Sequence, residues 1–418
     1  MSRRNLDFAC AVVIVGLLAG VAGIATTLLL RLVEHLTYDY GLGTLLNAVT
    51  GSGPLRRTFG PMVGGALAGC GWWILRRRAE VPPLSDAIER GDRLPRLSLS
   101  IDAALQVVLV GSGASLGREG APRQFAAALA DLGTGWLKRL SARDREVLLA
   151  CAAGAGLAAV YAVPLGGALF TLRIMLKTWH PRAVGAALIT SSLAVAVGSA
   201  VTHDRPVLVW PGPALSYLLT AAALLLAPVM LAVGLAFNRI MALARPASLP
   251  RSWVLIPTIA AAGLTIGICS HWWPELPGNG KSILTVGLDS GLTLASAAAI
   301  LALKPLLTAL FLRAGAVGGM LTPSLATGAA AGSVIVLAIN SAAGTHISVP
   351  ALSLAGAAGV LAVTQRAPIW AALFVWELAE PPIWLLAVFL AAAGGAHGLR
   401  LLGERYRVAA RPASSASP

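Results

Sequence analysis

Charged residues are scarce in this chain. Only 12% of its 418 residues are Asp, Glu, Lys or Arg, whereas 57% are hydrophobic. The mean hydropathy is +0.77, and soluble globular domains carry roughly 25% charged residues. Apolar runs that approach or exceed the roughly 20 residues needed to cross a bilayer recur along the chain, for example residues 8–30. The composition excludes a soluble protein and predicts an all-α polytopic membrane protein.

Patterns of metal-binding and catalytic residues are lacking as well. The four cysteines stand singly in apolar segments without CxxC spacing, and the six histidines are scattered. We therefore expect free thiols, no metal site and no cofactor. An intramembrane enzyme would need an activated nucleophile or metal ligands at depth, and neither an HExxH motif nor paired aspartates occur. We do not expect an enzyme.

The charge that is present is strongly basic. Lys and Arg number 32 against 18 acidic residues, which gives a net charge of +14. Nucleic-acid binding would need an aromatic or sheet context that is absent, so we expect no nucleic-acid partner. Basic groups in short connections, such as residues 76–78 and 138–139, are typical of loops that stay inside. With Arg3, Arg4 and a basic tail, they predict a multi-pass cell-membrane protein with both termini cytoplasmic.

Glycine and proline interrupt two apolar segments that lie about two hundred residues apart. The first interruption, residues 117–122, reads Gly-Arg-Glu-Gly-Ala-Pro, and the second, residues 318–323, reads Gly-Gly-Met-Leu-Thr-Pro. Lipid cannot satisfy free backbone groups, so broken helices occur only where protein or a cavity surrounds them. Paired breaks in the two halves of a chain indicate a transport site. Because helix N-termini attract anions, the pattern predicts anion transport.

The two halves of the chain also resemble each other. Residues 153–170 can be laid over residues 357–374 without a gap, and seven positions coincide, including the proline. This predicts inverted repeats of broken and tilted helices, with the substrate near the bilayer midplane between them. We expect a single transmembrane domain over 1–418, with a first repeat at 1–205, a second at 206–406 and a disordered cytoplasmic tail at 407–418.

These segments resemble the CLC family of chloride channels and proton-coupled chloride antiporters. Residues 111–120 are similar to its GREGP segment, and Gln124 stands where the family has glutamine. Residues 304–325 resemble the segment that ends in GxFxP, and residues 366–378 the late segment that ends in an acidic residue. The resemblance implies a divergent prokaryotic-type member without CBS domains, a CLC-type inverted repeat, and a homodimer that moves chloride or a similar small anion through a lipid bilayer.

The resemblance assigns a gate and a set of anion-binding residues. Glu119 would be the gating glutamate, which blocks the pore by mimicking the anion when it is deprotonated. A charge at membrane depth costs roughly 2.5–3.5 kcal/mol on insertion scales and is usually functional. The anion-binding residues would be Arg118, Gly120, Met320, Leu321 and Tyr406. Two alternatives remain open: Glu119 merely pairs with Arg118, or Tyr406 is a membrane-interface tyrosine.

Three departures from the family pattern bear on mechanism. The family's GSGIP segment is missing, and residues 78–83 stand nearest to its position without glycine or serine. Ala121 replaces the family's proline, and Arg123 replaces an apolar residue. Where antiporters carry an internal proton-accepting glutamate, this chain has Arg173 and Ile174. We therefore expect a channel-like or weakly proton-coupled anion transporter. A fluoride-exporting transporter of the same type is the nearest alternative, and a relic that no longer transports is another.

Overall fold

The fold was analysed in a computed structural model that describes residues 3–40, 43–90, 93–202, 208–211 and 217–409. Within these ranges the regular structure is helical, apart from one antiparallel bridge between two glycines. The predicted all-α fold class is confirmed. A π-helical segment, Thr171–Met175, follows α8. In chain order the α-helices are α1 (Arg3–Tyr38), α2 (Leu45–Gly51), α3 (Pro54–Arg78), α4 (Leu84–Glu89), α5 (Arg96–Gly111), α6 (Gly120–Gly133), α7 (Ala142–Tyr161), α8 (Pro164–Phe170), α9 (Pro181–Thr202), α10 (Tyr217–Leu225), α11 (Ala227–Ala244), α12 (Leu255–Cys269), α13 (Lys281–Leu288), α14 (Leu294–Arg313), α15 (Leu321–Ala343), α16 (Val349–Gln365), α17 (Pro368–Ala379) and α18 (Leu385–Ala409).

Some of these helices are long enough to cross a bilayer and others are not. In the described part of the chain, six helices combine sufficient length and hydropathy: α1, α9, α11, α14, α15 and α18. Four further apolar segments are shorter: Pro164–Met175, Leu255–Cys269, Val349–Gln365 and Pro368–Ala379. A segment too short to cross alone must satisfy its ends inside the protein. Short and long apolar helices together give the broken-helix architecture that the sequence predicts.

Small residues bring the helices into close contact. Gly328 on α15 and Gly356 on α16 face each other so closely that a methyl group on either would overlap the other's backbone. Helices in membranes associate through such close backbone approach because lipid provides no hydrophobic driving force between them. Larger side chains pack elsewhere: Trp370 and Phe374 on α17 lie 5.2 Å apart between ring centroids and are buried.

The two segments that the sequence pairs have the same local structure. The helix α7 is followed by Ala162 in the left-handed conformation (φ 54°, ψ 41°), and α8 begins at Pro164. At the matching positions, Arg366 follows α16 with φ 57° and ψ 32°, and α17 begins at Pro368. The pairing of residues 153–170 with 357–374 therefore extends from sequence to backbone geometry.

The predicted boundaries of the repeats and of the tail can be compared with the structure only in part. The boundary between residues 205 and 206 lies outside the described residues. The helix α18 runs to Ala409, so residues 407–409 are helical and the expected tail does not begin at 407. Residues 410–418 lie outside the described residues.

The direction of α1 defines two faces of the molecule. Arg56, near the start of α3, donates to the backbone oxygens of Leu36 and Thr37 at the end of α1. The helix α3 has 25 residues and spans about 37 Å at 1.5 Å per residue, so its last turn reaches the opposite face. We call the face where α1 begins the α1-start face and the other the α1-end face.

Candidate functional site

The two interrupted segments meet in the interior. Gly117 donates its N–H to the Gly319 oxygen at 2.7 Å, and Gly319 donates to the Gly117 oxygen at 2.8 Å. The helix α6 begins at Gly120 and α15 at Leu321, both within three residues of this bridge. Two helix N-termini that are about two hundred residues apart in sequence are thereby brought to one place, as the paired breaks predict.

The Glu119 carboxylate lies at the N-terminus of α15. Its side chain is buried, with the residue only 2% exposed. Leu321 donates its backbone N–H to Oε1 at 2.6 Å, and the Thr322 hydroxyl donates to Oε2 at 3.0 Å. The N-terminus of a helix attracts negative charge through its free N–H groups and its dipole. The carboxylate therefore occupies a position at which the protein is built to hold an anion.

Two glycines make room for that carboxylate. A Cβ on Gly117 or on Gly319 would overlap the carboxylate oxygens of Glu119. Neither glycine has a positive φ, so the requirement is for space and not for backbone freedom. Gly120, which the sequence analysis named as an anion ligand, faces elsewhere: its α-carbon lies against the Gln106 side chain.

The tyrosine at this site is Tyr161 and not Tyr406. The Tyr161 hydroxyl and the Thr322 hydroxyl lie 2.9 Å apart, and Thr322 in turn contacts Glu119. Tyr406 lies near the end of α18 with 75% of its surface exposed, so the structure does not bring it to Glu119. Sequence reasoning missed Tyr161, although it stands inside the repeated segment, three residues before Pro164.

Arg118 does not pair with Glu119. Its Nη2 donates to the Val160 oxygen at 2.9 Å, and its guanidinium lies 5.3 Å from the Tyr161 ring centroid. The alternative in which Glu119 is only the ion-pair partner of Arg118 therefore finds no support in this geometry. Met320, the residue before α15, packs its sulfur 3.2 Å from a nitrogen of Arg245.

A first cavity opens at the α1-end face and reaches Arg118. It has a volume of about 250 Å³ and includes the last turns of α1 and the start of α13. Its charged lining residues are Arg31, Glu34, Arg118 and Lys281. Burial, together with the neighbouring Arg118, lowers the pKa of Lys281 to about 8; α13 has eight residues and does not span the membrane. Three of the four charged residues in this cavity are basic.

A second cavity lies toward the α1-start face. It has a volume of about 770 Å³, and residues 79–83, which stand nearest to the missing serine segment, form part of its wall. Asp102, Gln124 and Val317 also line it. Glu119 lies in the chain between Arg118, in the wall of the first cavity, and Gln124, in the wall of the second.

The remaining predicted positions are also placed. Ile174 is half-buried in the π-helical segment, and Arg173 beside it is exposed. Glu377 accepts from the backbone N–H groups of Leu165 at 2.9 Å and Gly166 at 2.5 Å, so it caps the start of α8 and joins the two halves. In the described part of the chain no group of three or more His, Cys, Asp or Glu residues could hold a metal ion.

Comparison with known proteins agrees with this architecture. The family described as voltage gated chloride channel matches residues 64–398. The voltage-gated ClC-type chloride channel ClcB of Escherichia coli (strain SMS-3-5) is 29% identical over 378 residues, which cover 87% of this chain and 89% of the relative.

Solved structures share the fold at lower identity. A slow cyanobacterial Cl⁻/H⁺ antiporter has a TM-score of 0.78 at 21% identity, with 97% of this chain and 99% of that chain covered. A CLC-type fluoride/proton antiporter has a TM-score of 0.67 at 17% identity, with 96% of each chain covered. The match over residues 64–398 includes the Glu119 site and both interrupted segments, and the chain belongs to the voltage gated chloride channel, or CLC, family.

Proposed function

We propose that this chain moves chloride or a similar small anion across a membrane through a pore gated by Glu119. Its family supports CLC-type anion transport. The observation that carries the proposal is the Glu119 carboxylate, which is held by Leu321 N–H and the Thr322 hydroxyl. Its chain neighbours Arg118 and Gln124 line two separate cavities. Partial charges of this kind suit ion passage because they replace hydration without trapping the ion.

The gate works through the charge of Glu119. When the carboxylate is ionised, it accepts both hydrogen bonds at α15 and excludes an anion from the same donors. When it is protonated, it loses its attraction for the helix N-terminus, and an anion can bind the Leu321 N–H and Thr322 hydroxyl in its place. Flux should therefore rise as the pH falls, and removal of the carboxyl group should remove this dependence.

Transport is channel-like or only weakly coupled to protons in this proposal. Ile174 cannot titrate, and Arg173 carries the wrong charge to accept a proton at the position of the antiporters' internal glutamate. An imposed chloride gradient should consequently drive little uphill proton movement. Robust, stoichiometric proton movement would contradict this part of the proposal.

The anion and the orientation form part of the same proposal. Basic groups cluster at the α1-start face, where Arg139 lies 4.0 Å from Asp7 and Arg182 stacks over Phe8. By the positive-inside rule this face is cytoplasmic, with both termini there, in a cell-membrane homodimer of closed C2 symmetry.

Fluoride is the alternative cargo, since a fluoride/proton antiporter shares the fold. Competition between chloride and fluoride in liposome flux separates the two.

One sequence motif matches an enzyme pattern, but the geometry around it does not support catalysis. Residues 113–117 read Gly-Ala-Ser-Leu-Gly, which matches the GxSxG pattern of a hydrolase nucleophile elbow. Ser115 is fully buried, and its hydroxyl lies 3.1 Å from the Thr308 hydroxyl. No base activates it there. Members of the family are transporters or channels, which is coarse support for the same conclusion.

The test is anion flux from liposomes that contain the purified protein. Glu119→Gln and Glu119→Ala should raise flux or flatten its pH dependence between about pH 4 and pH 8. Glu146→Gln, at an exposed pair with Arg143, is the matched control and should behave as the wild type. Unchanged pH dependence in both Glu119 variants would refute the gate, and absence of flux in the wild type would identify a relic.

A further inference from the structure

A buried carboxylate forms part of the wall of the second cavity. Asp102 on α5 is 3% exposed. Trp72 Nε1 donates to Oδ1 at 2.7 Å, and Gln106 Nε2 and Gln124 Nε2 donate to Oδ2 at 2.8 and 3.0 Å. All three partners are neutral, and no ion pair with Asp102 occurs among the residues that the structure describes. Arg76 interacts with Asp102 electrostatically but forms no ion pair with it. An ionised carboxylate whose hydrogen-bond donors are all neutral costs more to bury than a protonated one.

Asp102 has access to the solvent of the second cavity. It forms part of the cavity wall together with Gln124 and Arg76. The Arg76 guanidinium is held by the backbone oxygens of Gly315 at 2.9 Å and Pro250 at 3.2 Å, and not by the carboxylate. A negative charge in the wall of an anion passage repels the cargo. A protonated carboxyl group does not repel the anion. The charge state of Asp102 therefore affects the passage of anions through this cavity.

The other end of the network reaches the gate. Gln106, which is 1% exposed, has an amide oxygen without a partner. That oxygen lies against the α-carbon of Gly120, where a Cβ would overlap it. Gly120 is the residue directly after Glu119. The same Gln106 donates to Gln124 at 2.9 Å as well as to Asp102. Hydrogen bonds therefore run from the cavity wall to Gln106. Its buried amide oxygen, which lacks a donor, packs against the backbone beside Glu119.

Few other charges face Asp102. The helices packed against α5 are α1, α3 and α6. Arg77 on α3 stacks over Trp73, and Asp131 at the far end of α6 is paired with Arg96 and Arg145. The charged groups that share the cavity wall with Asp102 are Arg76 on α3 and Glu80 and Arg251 at the rim. Arg123 lies on α6 and Glu119 directly precedes that helix, while α1 carries no charged residue between Asp7 and Arg31.

We propose that Asp102 is the group through which Glu119 exchanges protons with the second cavity; the inference rests on Glu119 as the gate. A hydronium ion in the cavity gives its proton to the Asp102 carboxylate and becomes water. Protonated Asp102 passes that proton, by way of water beside the Gln106 oxygen, to the Glu119 carboxylate. Asp102 is ionised again, and Glu119, now neutral, leaves the Leu321 N–H and the Thr322 hydroxyl. The reverse sequence returns the proton to the second cavity and recloses the gate, so this exchange moves no net proton across the membrane and agrees with weak coupling.

The experiment measures the pH response of flux separately on the two sides. Thr285→Cys, in the wall of the first cavity, allows a bulky membrane-impermeant thiol reagent to silence the liposome copies whose first cavity faces outward. External pH then acts on the second cavity, and internal pH on the first. In this background, acidification on the second-cavity side from about pH 7.5 to about pH 5.5 should raise flux at least fivefold. Asp102→Asn should reduce that rise to less than twofold and leave the first-cavity response unchanged.

Matched variants separate proton exchange from a structural role. Asp102→Glu should restore the second-cavity response. Glu80→Gln removes a charge from the rim of the same cavity, where Glu80 pairs with Arg251, and should retain the wild-type response. Trp72→Phe removes one donor to the ionised form and should shift the midpoint of the second-cavity response to higher pH without abolishing it; this variant serves if Asp102→Asn does not fold.

Three results would count against the proposal in different ways. A full second-cavity response in Asp102→Asn, or an unshifted midpoint in Trp72→Phe, would overturn the role of Asp102. Equal loss of response on both sides in Asp102→Asn would show that the network only supports the fold. A second-cavity pH response that persists in Glu119→Gln would refute the gate itself, and thus the proposed function, whatever Asp102 does.

Discussion

The two cavities that approach Glu119 differ in how they arrange charge. In the first, the basic side chains of Arg31, Arg118 and Lys281 line the wall and face a single acid, Glu34. In the second, Arg76 is tied to two backbone oxygens and the acid Asp102 is held by neutral donors. A basic mouth concentrates anions from solution, whereas a carboxylate with neutral partners responds to protons. One side of the gate is thus suited to collecting the anion and the other to controlling the gate.

The largest expected effect comes from removing the barrier between the cavities without touching Glu119. In Gly319→Ala the new methyl group would overlap the Glu119 carboxylate and force it from α15. Each hydrogen bond to a charged group contributes about 1.5–3 kcal/mol, so loss of both should lower the occupancy of the closed gate by at least about a hundredfold. Flux should rise and lose its pH dependence, as measured by chloride efflux from liposomes.

Two further variants test whether the effect of Gly319→Ala arises from the Glu119 carboxylate. Gly117→Ala should have the same effect, since its methyl group would meet the same oxygens. Gly185→Ala on α9 is the control, because nothing lies within 4 Å of a Cβ there. If Gly319→Ala stays as pH-sensitive as Gly185→Ala, the carboxylate does not close the pore from the position that the structure gives it.

An intermediate effect is expected from the first cavity. Lys281 has a pKa lowered to about 8, so its charge is present at neutral pH and is lost as the pH rises through about 8. Clefts of one charge sign raise the arrival rate of ions by about tenfold or more, and loss of one of three cations should reduce flux about threefold. At low chloride, wild-type flux should fall between about pH 7 and pH 9, where this amine titrates.

Variants at Lys281 distinguish its charge from its size. Lys281→Arg keeps its charge at this pH and should hold flux constant to about pH 9, while Lys281→Gln should already be low at pH 7. Added salt should shrink the difference because it screens the cavity. A Lys281→Gln variant with wild-type flux at low salt would show that the first cavity does not collect anions through this residue.

The sequence was sufficient for the fold class and for the meeting of the two interrupted segments. Glycine and proline at residues 117–122 and 318–323 leave helix ends that only protein can satisfy, and both helices begin at these segments. The same breaks place Glu119 and Leu321 at these helix ends, whereas their roles come from the family resemblance and stay predictions. The choice between Tyr161 and Tyr406 depended on which helix end turns inward, and spacing along the chain does not determine that.

The network around Asp102 shows a different limit. Its members come from three helices, and their positions, Trp72, Asp102, Gln106 and Gln124, follow no common period. Only the spacing of Asp102 and Gln106, four residues apart on α5, predicts a contact on one helix face. The packing of α3 and α6 against α5 supplies the rest, and contacts between helices depend on tertiary structure that local pattern does not specify.

The smallest expected effect compares the two tyrosines. Tyr161→Phe removes a hydroxyl 2.9 Å from the Thr322 hydroxyl, so Thr322 keeps its bond to Glu119 but loses the partner that orients it. A neutral hydrogen bond contributes about 0.5–1.5 kcal/mol, which corresponds to a change of about twofold to tenfold. Because the carboxylate and the anion compete for Thr322, Tyr161→Phe should shift the pH midpoint of flux and weaken chloride-over-nitrate discrimination by that factor. Tyr406→Phe, on an exposed part of α18, should change neither. Anion competition measured in liposomes for both variants decides the matter: a loss of discrimination in Tyr406→Phe with none in Tyr161→Phe would return the pore tyrosine to the position that the sequence resemblance first assigned.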